Sequence, residues 1–453
     1  MEQKELQDKQ FKRMTTVSVQ RLVGSLAVPT IISMMVTNIY NMVDTAFVGT
    51  LGTSQSGAVG IVFGYMSILQ AVGFMCGMGS GCIMSRRLGA KDVESASNYS
   101  SLGFFMSLGL GAIIGILSYI FLEPLLVVLG STSTISVYAK VYIKFIIVSA
   151  PFMTASLSLN NLLRYEGRAK LGTAGLMTGA ILNICGDALF MFVLNMGIAG
   201  AGLSTAIAQI ISFCILLFMF LSGKTQTKIS VKRAYNNMGQ IGNVLASGFP
   251  SLVRQSLNSI STMLLNSFSA GYGDSAVAAM SIVSRISFFV MSLAIGMGQG
   301  FQPVSSFNYG AGKYERVKKA YWFTFIVAEI LVCIIVVPVF FNAPSLIRIF
   351  RDDSEVVIYG VRALRLQCIT GPLIPLSMMT EMGFQSTGQK IYATISSSLR
   401  SGIVFIPTLI ILACVRGIMG IQEAQPVAFA ISFVISVFFA RIFLQNLEKR
   451  ENA

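Results

Sequence analysis

Two aspartates, Asp44 and Asp187, lie inside long apolar stretches of the chain. Carrying an ionisable group into a bilayer costs roughly 2.5–3.5 kcal/mol, so such groups are candidates for function. Asn183 precedes Asp187 by four residues, which puts both on one helix face. Thr205 follows on the next apolar stretch. Two carboxylates, an amide and a hydroxyl are oxygen ligands that suit a hard cation. A carboxylate pair in low dielectric also suits a shared proton. The competing reading makes the two aspartates helix caps or separately hydrogen-bonded polar residues.

The elements that position these groups read as membrane helices. Apolar residues form 54% of the chain and charged residues only 11%, against about 25% charged in soluble domains. Apolar runs of about 20 residues or more recur from end to end, enough to span a bilayer. The expected spans are 22–47, 56–86, 95–121, 133–163, 169–194, 198–222, 241–270, 276–307, 317–341, 354–384, 389–413 and 424–445. The fold class is therefore an all-α membrane protein of twelve transmembrane helices.

The spans form two copies of one unit. Pro29, Gly52, Gly77, Gly79, Gly89 and Ala90 recur 221 residues later as Pro250, Gly273, Gly298, Gly300, Gly310 and Ala311. Tyr138, Lys144, Pro151 and Gly167 recur likewise as Tyr359, Arg365, Pro372 and Gly388. Six helices per copy is an even number, so both copies enter the membrane in the same direction, as parallel repeats do in secondary transporters. The expected division is an N-terminal lobe over 1–222, a linker over 223–240 and a C-terminal lobe over 241–453. Small residues such as Gly79, Gly109 and Gly111 suit close helix packing.

The net charge of +14 follows the topology rather than a nucleic acid. Basic residues gather in alternate loops: Lys9, Lys12 and Arg13, then Arg86, Arg87 and Lys91, then Arg164, Arg168 and Lys170, then Lys224 to Arg233, then Lys313 to Lys319. The positive-inside rule places those loops and both termini in the cytoplasm. Asp44, Asn183, Asp187 and Thr205 then fall in the outer half of the membrane. There is no histidine, which removes the commonest general base and metal ligand. The seven cysteines show no metal or redox spacing and read as small core residues. An enzyme is not expected, and no cofactor is implied.

Several strings resemble the multidrug and toxic compound extrusion (MATE) transporters. NMVDTAFVGTLG at 41–52 is similar to the end of that family's first helix, and SRRLGAKD at 85–92 and NYGAGKYERVKKA at 308–320 to its paired loops. Gly167 in YEGRAK and Gly388 in STGQK sit where the family has glycines. The resemblance covers essentially the whole chain. It implies a V-shaped exporter of amphipathic organic compounds that opens alternately inward and outward, an antiporter driven by H⁺ or Na⁺. It also implies that Asp44, Asn183, Asp187 and Thr205 converge as the cation-coupling site, with Na⁺ as one possible occupant, and that Pro29 is a hinge. A kink shared with Pro250 is the plainer reading of that proline. The positions matching the cation site in the second copy are Leu265, Val404, Thr408 and Gln425, so the site is expected in the first copy alone.

The second copy departs from the sodium-coupled branch of the family, for its first helix carries Arg254 and no acid. Arg254, Arg285 and Glu329 are expected near mid-membrane, where they either neutralise one another or present an arginine to the cavity. The latter suits anionic or zwitterionic substrates. Glu381 is expected in an interfacial role near the cytoplasmic end. Candidates for the substrate cavity are Met34, Met35, Phe63, Met66, Met153, Met263, Met280, Arg285, Phe289 and Met291, because methionine suits promiscuous binding. Expected partners are a small organic substrate and membrane lipids, with no nucleic acid, for a monomer in the cell membrane. The alternatives are a lipid-linked oligosaccharide flippase of the same superfamily and a polytopic membrane enzyme.

Overall fold

The computed structural model describes residues 2–452 and is helical throughout. The first copy holds α1 (Glu2–Thr16), α2 (Val19–Gly49), α3 (Thr53–Gly89), α4 (Val93–Ile120), α5 (Leu122–Val128), α6 (Ser133–Tyr165), α7 (Ala169–Asp187) with a π-helical turn at Ala188–Val193, and α8 (Ile198–Leu221). After α9 (Val231–Asn236) the second copy holds α10 (Ile241–Ala270), α11 (Asp274–Gly310), α12 (Tyr314–Phe341), α13 (Ala343–Phe350), α14 (Ser354–Thr370), α15 (Ile374–Thr387), α16 (Lys390–Ser398), a π-helical turn at Leu399–Ile403, α17 (Phe405–Arg416) and α18 (Ile418–Glu451). Helices are the natural outcome, because hydrocarbon offers no partner to an open backbone.

Among the described residues, 10 helices are long and apolar enough to cross a membrane unaided. The repeat supplies the other two of the twelve. One is α10, the counterpart of α2. The other is α14 and α15 together, the counterpart of α6, interrupted at Gly371–Leu373 around Pro372. Proline there removes a backbone donor and breaks the span. The expected boundaries hold to within a few residues except at the last helix, which begins at Ile418 rather than 424.

Local chemistry fixes where helices start and stop. Asp92 caps α4 by accepting from Ser95 N at 3.0 Å. Asp353 caps α14 by accepting from Glu355 N at 3.0 Å and Val356 N at 3.2 Å. Such caps satisfy donors that a helix start leaves orphaned. The repeated glycines Gly167 and Gly388 both end a helix with positive φ, 82° and 85°, a backbone conformation that costs a side chain its Cβ contacts.

The chain packs as two compact units, Met1–Val17 with Ile32–Leu252, and Ser18–Ile31 with Val253–Ala453. They depart from the linear division at 222 and 241. The first turns of α2 belong with the second copy, and the first turns of α10 with the first. The changeovers fall just beyond Pro29 and Pro250, where each helix lacks a hydrogen bond and can bend. Repeated glycines admit the exchanged ends. A Cβ on Gly79 would strike the backbone of α10 at Val244 and Gly248. A Cβ on Gly300 would lie 2.5 Å from Ala27 Cα on α2. Gly109, by contrast, faces open space, so close packing is not its role.

The polar linker is packed rather than loose. Buried Glu166, between α6 and α7, accepts from Thr227 N at 2.8 Å, from Gln226 N at 3.1 Å and from the Thr227 hydroxyl. Burial pushes this carboxyl upward, and those donors pull the other way. Ser97 and Ser101 of α4 hold Lys228 and Ser230. The charged N-terminal segment, read from sequence as a tail, is the helix α1. Its Gln10 donates to Glu166 O at 2.9 Å and its Arg13 to Gly167 O at 3.2 Å.

Gly79→Ala and Gly300→Ala are each expected to destabilise the detergent-solubilised protein by about 1–3 kcal/mol through overpacking. Gly109→Ala is expected to stay within about 0.5 kcal/mol of the parent. Thermal melts of the three variants check this.

Candidate cation site

Asp44 sits in the last turns of α2, and Asp187 ends α7 where the helix widens into the π turn. Such single-turn π segments frequently mark functional sites. Phe47 meets Phe192 edge-on, with ring centroids 5.5 Å apart, which packs the Asp44 end of α2 against that turn. The two carboxyl groups face one another within electrostatic reach. Asp187 is fully buried and Asp44 half-buried.

Asn183 and Thr205 complete the group within the same unit. Asn183 Nδ2 donates to Thr205 Oγ1 at 3.1 Å, and Ser204 Oγ donates to Asn183 O at 2.9 Å. Thr205 Oγ1 donates to Ala201 O at 3.0 Å. These bonds spend the donors and leave acceptors facing inward. Asp44 Oδ1, both oxygens of Asp187 and Asn183 Oδ1 are buried without a hydrogen-bond partner. A buried carboxylate without a donor is costly, so the arrangement fits a cation or added protons. Among the described residues no cluster of three or more His, Cys, Asp or Glu forms a metal centre.

Sequence reasoning missed two residues here. Tyr40, one turn before Asp44, and Tyr142 on α6 both feel the charges of Asp44 and Asp187. Tyr142 is buried in the core cluster with Val48, Tyr65, Met153 and Ala201. The spacing of Tyr40 from Asp44 was the available signal; nothing local marks Tyr142.

Other expectations need correction. Arg254 does not neutralise Glu329. Its guanidinium bonds Glu381 at 2.6 Å, with side chains 12% and 4% exposed, so Glu381 is a buried ion-pair partner. Glu329 instead accepts from Cys333 Sγ at 3.8 Å. Met66, Met153 and Met280 are buried, at 7%, 2% and 1% exposure. Phe63, Met263, Arg285 and Phe289 are exposed, while Met34, Met35 and Met291 are partly so. Cys185, Cys214 and Cys414 are exposed rather than core residues.

Twelve membrane helices in two parallel copies are the architecture of a polytopic membrane transporter. Comparison with known proteins specifies the kind. The MatE family profile matches residues 29–189 and 250–411, once per copy. The chain belongs to the MatE family, a family of transporters and not of enzymes. It is 26% identical over 443 residues to the multidrug export protein MepA of Staphylococcus saprophyticus, covering 98% of each chain. It is 24% identical to the protein of that name from Staphylococcus haemolyticus, covering 96% of each. A crystal structure of MATE in complex with MaL6 shares the fold with TM-score 0.92 at 23% identity, over 97% of this chain and 99% of that one. An outward-facing multidrug resistance MATE transporter matches at TM-score 0.91 and 23% identity, over 96% and 98%.

Two facing carboxylates without a counter-ion repel. In cation-free buffer Asp187→Asn is therefore expected to melt above the parent, by about 1–3 kcal/mol of stability. Differential scanning calorimetry in detergent measures the change.

Proposed function

We propose that this protein exports amphipathic organic compounds across the cell membrane in exchange for an inward-moving cation, H⁺ or Na⁺. The observation that carries the reading is the unpartnered set of buried oxygens on Asp44, Asp187 and Asn183. A cation entering from outside binds there and removes the repulsion between the carboxylates. Neutralised, α2 repacks against α6 and the π turn after Asp187. Because α2 contributes its first turns to the second unit and its remainder to the first, a change at Asp44 is carried along one helix past Pro29. Pro29 is the hinge of that movement. The ligand binds one conformation better than the other and shifts the population toward it, which gives alternating access. The names of the relatives support small organic compounds as cargo. Loops rich in Lys and Arg support cytoplasmic termini. The protein works as a monomer among membrane lipids.

The test is efflux from proteoliposomes under a pH gradient and a Na⁺ gradient applied separately. Efflux driven by one gradient and lost in both Asp44→Asn and Asp187→Asn is the expected result, with rates down by about tenfold or more. An Asp44→Asn carrier that keeps full ion-driven efflux would overturn the role of Asp44.

A further inference from the structure

The helix α10 is 30 residues long and carries a single charged residue, yet it is absent from the helices apolar enough to cross a membrane. Its amides and hydroxyls lower its hydropathy, and they are not scattered. Gln255, Asn258, Thr262 and Asn266 recur every three or four residues, so they line one face over about 16 Å. Asn258 and Thr262 are exposed. A polar exposed face cannot lie against hydrocarbon without a large cost, so it faces water.

The same face continues onto α11. Ser281 Oγ donates to Asn266 Oδ1 at 3.5 Å, which registers the two antiparallel helices. One turn further along α11 stands Arg285, level with Thr262 one turn back along α10. Arg285 is exposed and, among the described residues, has no hydrogen-bond or ion-pair partner. Phe288 and Phe289 follow it, 41% and 36% exposed. No carboxylate answers the arginine. The sequence of α10 has none, and α11 has only Asp274, at its first residue, about three turns away. Glu381 is already bonded to Arg254, and Arg400 lies within electrostatic reach of both, so that neighbourhood too is net basic.

We propose that this face of the second unit is the binding site for the oxyanion of the exported compound, with Arg285 as its anchor and the aromatic pair Phe288 and Phe289 holding the apolar body. A guanidinium takes a carboxylate or phosphate through two parallel N–H bonds, and an exposed amide such as Asn258 supplies a further donor. The proposal rests on the export reading above and specifies the charged group of its substrate as anionic or zwitterionic, not purely cationic. The first unit keeps its acids for the coupling cation, and the second keeps its bases for cargo.

The test uses rhodamine B, which carries a free carboxylate, and its ethyl ester, which does not. Fluorescence anisotropy gives the affinity of each for the protein in nanodiscs, and proteoliposomes report their efflux. The parent is expected to bind the acid about tenfold more tightly than the ester, the worth of one charge-assisted contact. Arg285→Gln is expected to lose that preference and Arg285→Lys to keep part of it. Inorganic phosphate and acetate as competitors against the acid separate phosphate from carboxylate recognition. Equal binding of acid and ester by the parent, which needs no variant to fold, overturns the proposal and leaves export standing. A preference that survives in Arg285→Gln also overturns the assignment to Arg285. If neither dye is bound or expelled, the export reading itself falls.

Discussion

Hydrocarbon solvates neither a charge nor an open peptide group, and the few polar groups this chain carries into the membrane are arranged around that fact. The backbone is helical wherever it crosses. It loosens into π turns at two places, beside Asp187 and around Arg400. Five of the intramembrane charges fall into three arrangements. Arg254 and Glu381 cancel one another. Asp44 and Asp187 confront one another and leave oxygens without donors. Arg285 is exposed and has no opposite charge bonded to it among the described residues. Only the first pair is matched by an opposite charge within the protein.

Duplication separates scaffold from chemistry. Gly167 and Gly388 turn the chain with nearly the same φ, and Gly79 and Gly300 admit equivalent helix ends, of α10 and α2 respectively. At the candidate cation positions the copies differ. Leu265 stands where Asp44 would repeat, and Thr408 where Asp187 would. A Leu265 that is fully buried completes a core instead of a site. One architecture thus carries different intramembrane side chains in its two copies.

Much of the fold was legible because a bilayer imposes length and apolarity, and a repeat checks each helix against its twin. Even α10, too polar to stand out, was placed by matching Pro250 to Pro29. Packing between helices was less legible. The buried pair Arg254 and Glu381 joins helices far apart in sequence, and residue counting along one helix does not pair them. Met66 and Met153 look like Met263 in sequence, but the first two are core and the last is exposed. Tyr142 reaches the aspartates from a third helix, and no spacing rule reveals a neighbour of that kind. Amphipathic α1 was hidden by its charge, which reads as a solvated tail until Gln10 and Arg13 find the turn at Glu166 and Gly167.

The exchanged ends of α2 and α10 also bear on how the molecule is made. Ser18–Ile31 emerges early from the ribosome, yet its packing partners in Val253–Ala453 are more than two hundred residues behind it. The first unit in turn lacks its share of α10 until the linker has been synthesised. Neither unit can therefore mature as its own half is translated. During biogenesis the first turns of α2 wait with their packing partners unmade, and both units close only after residues of both copies have been synthesised.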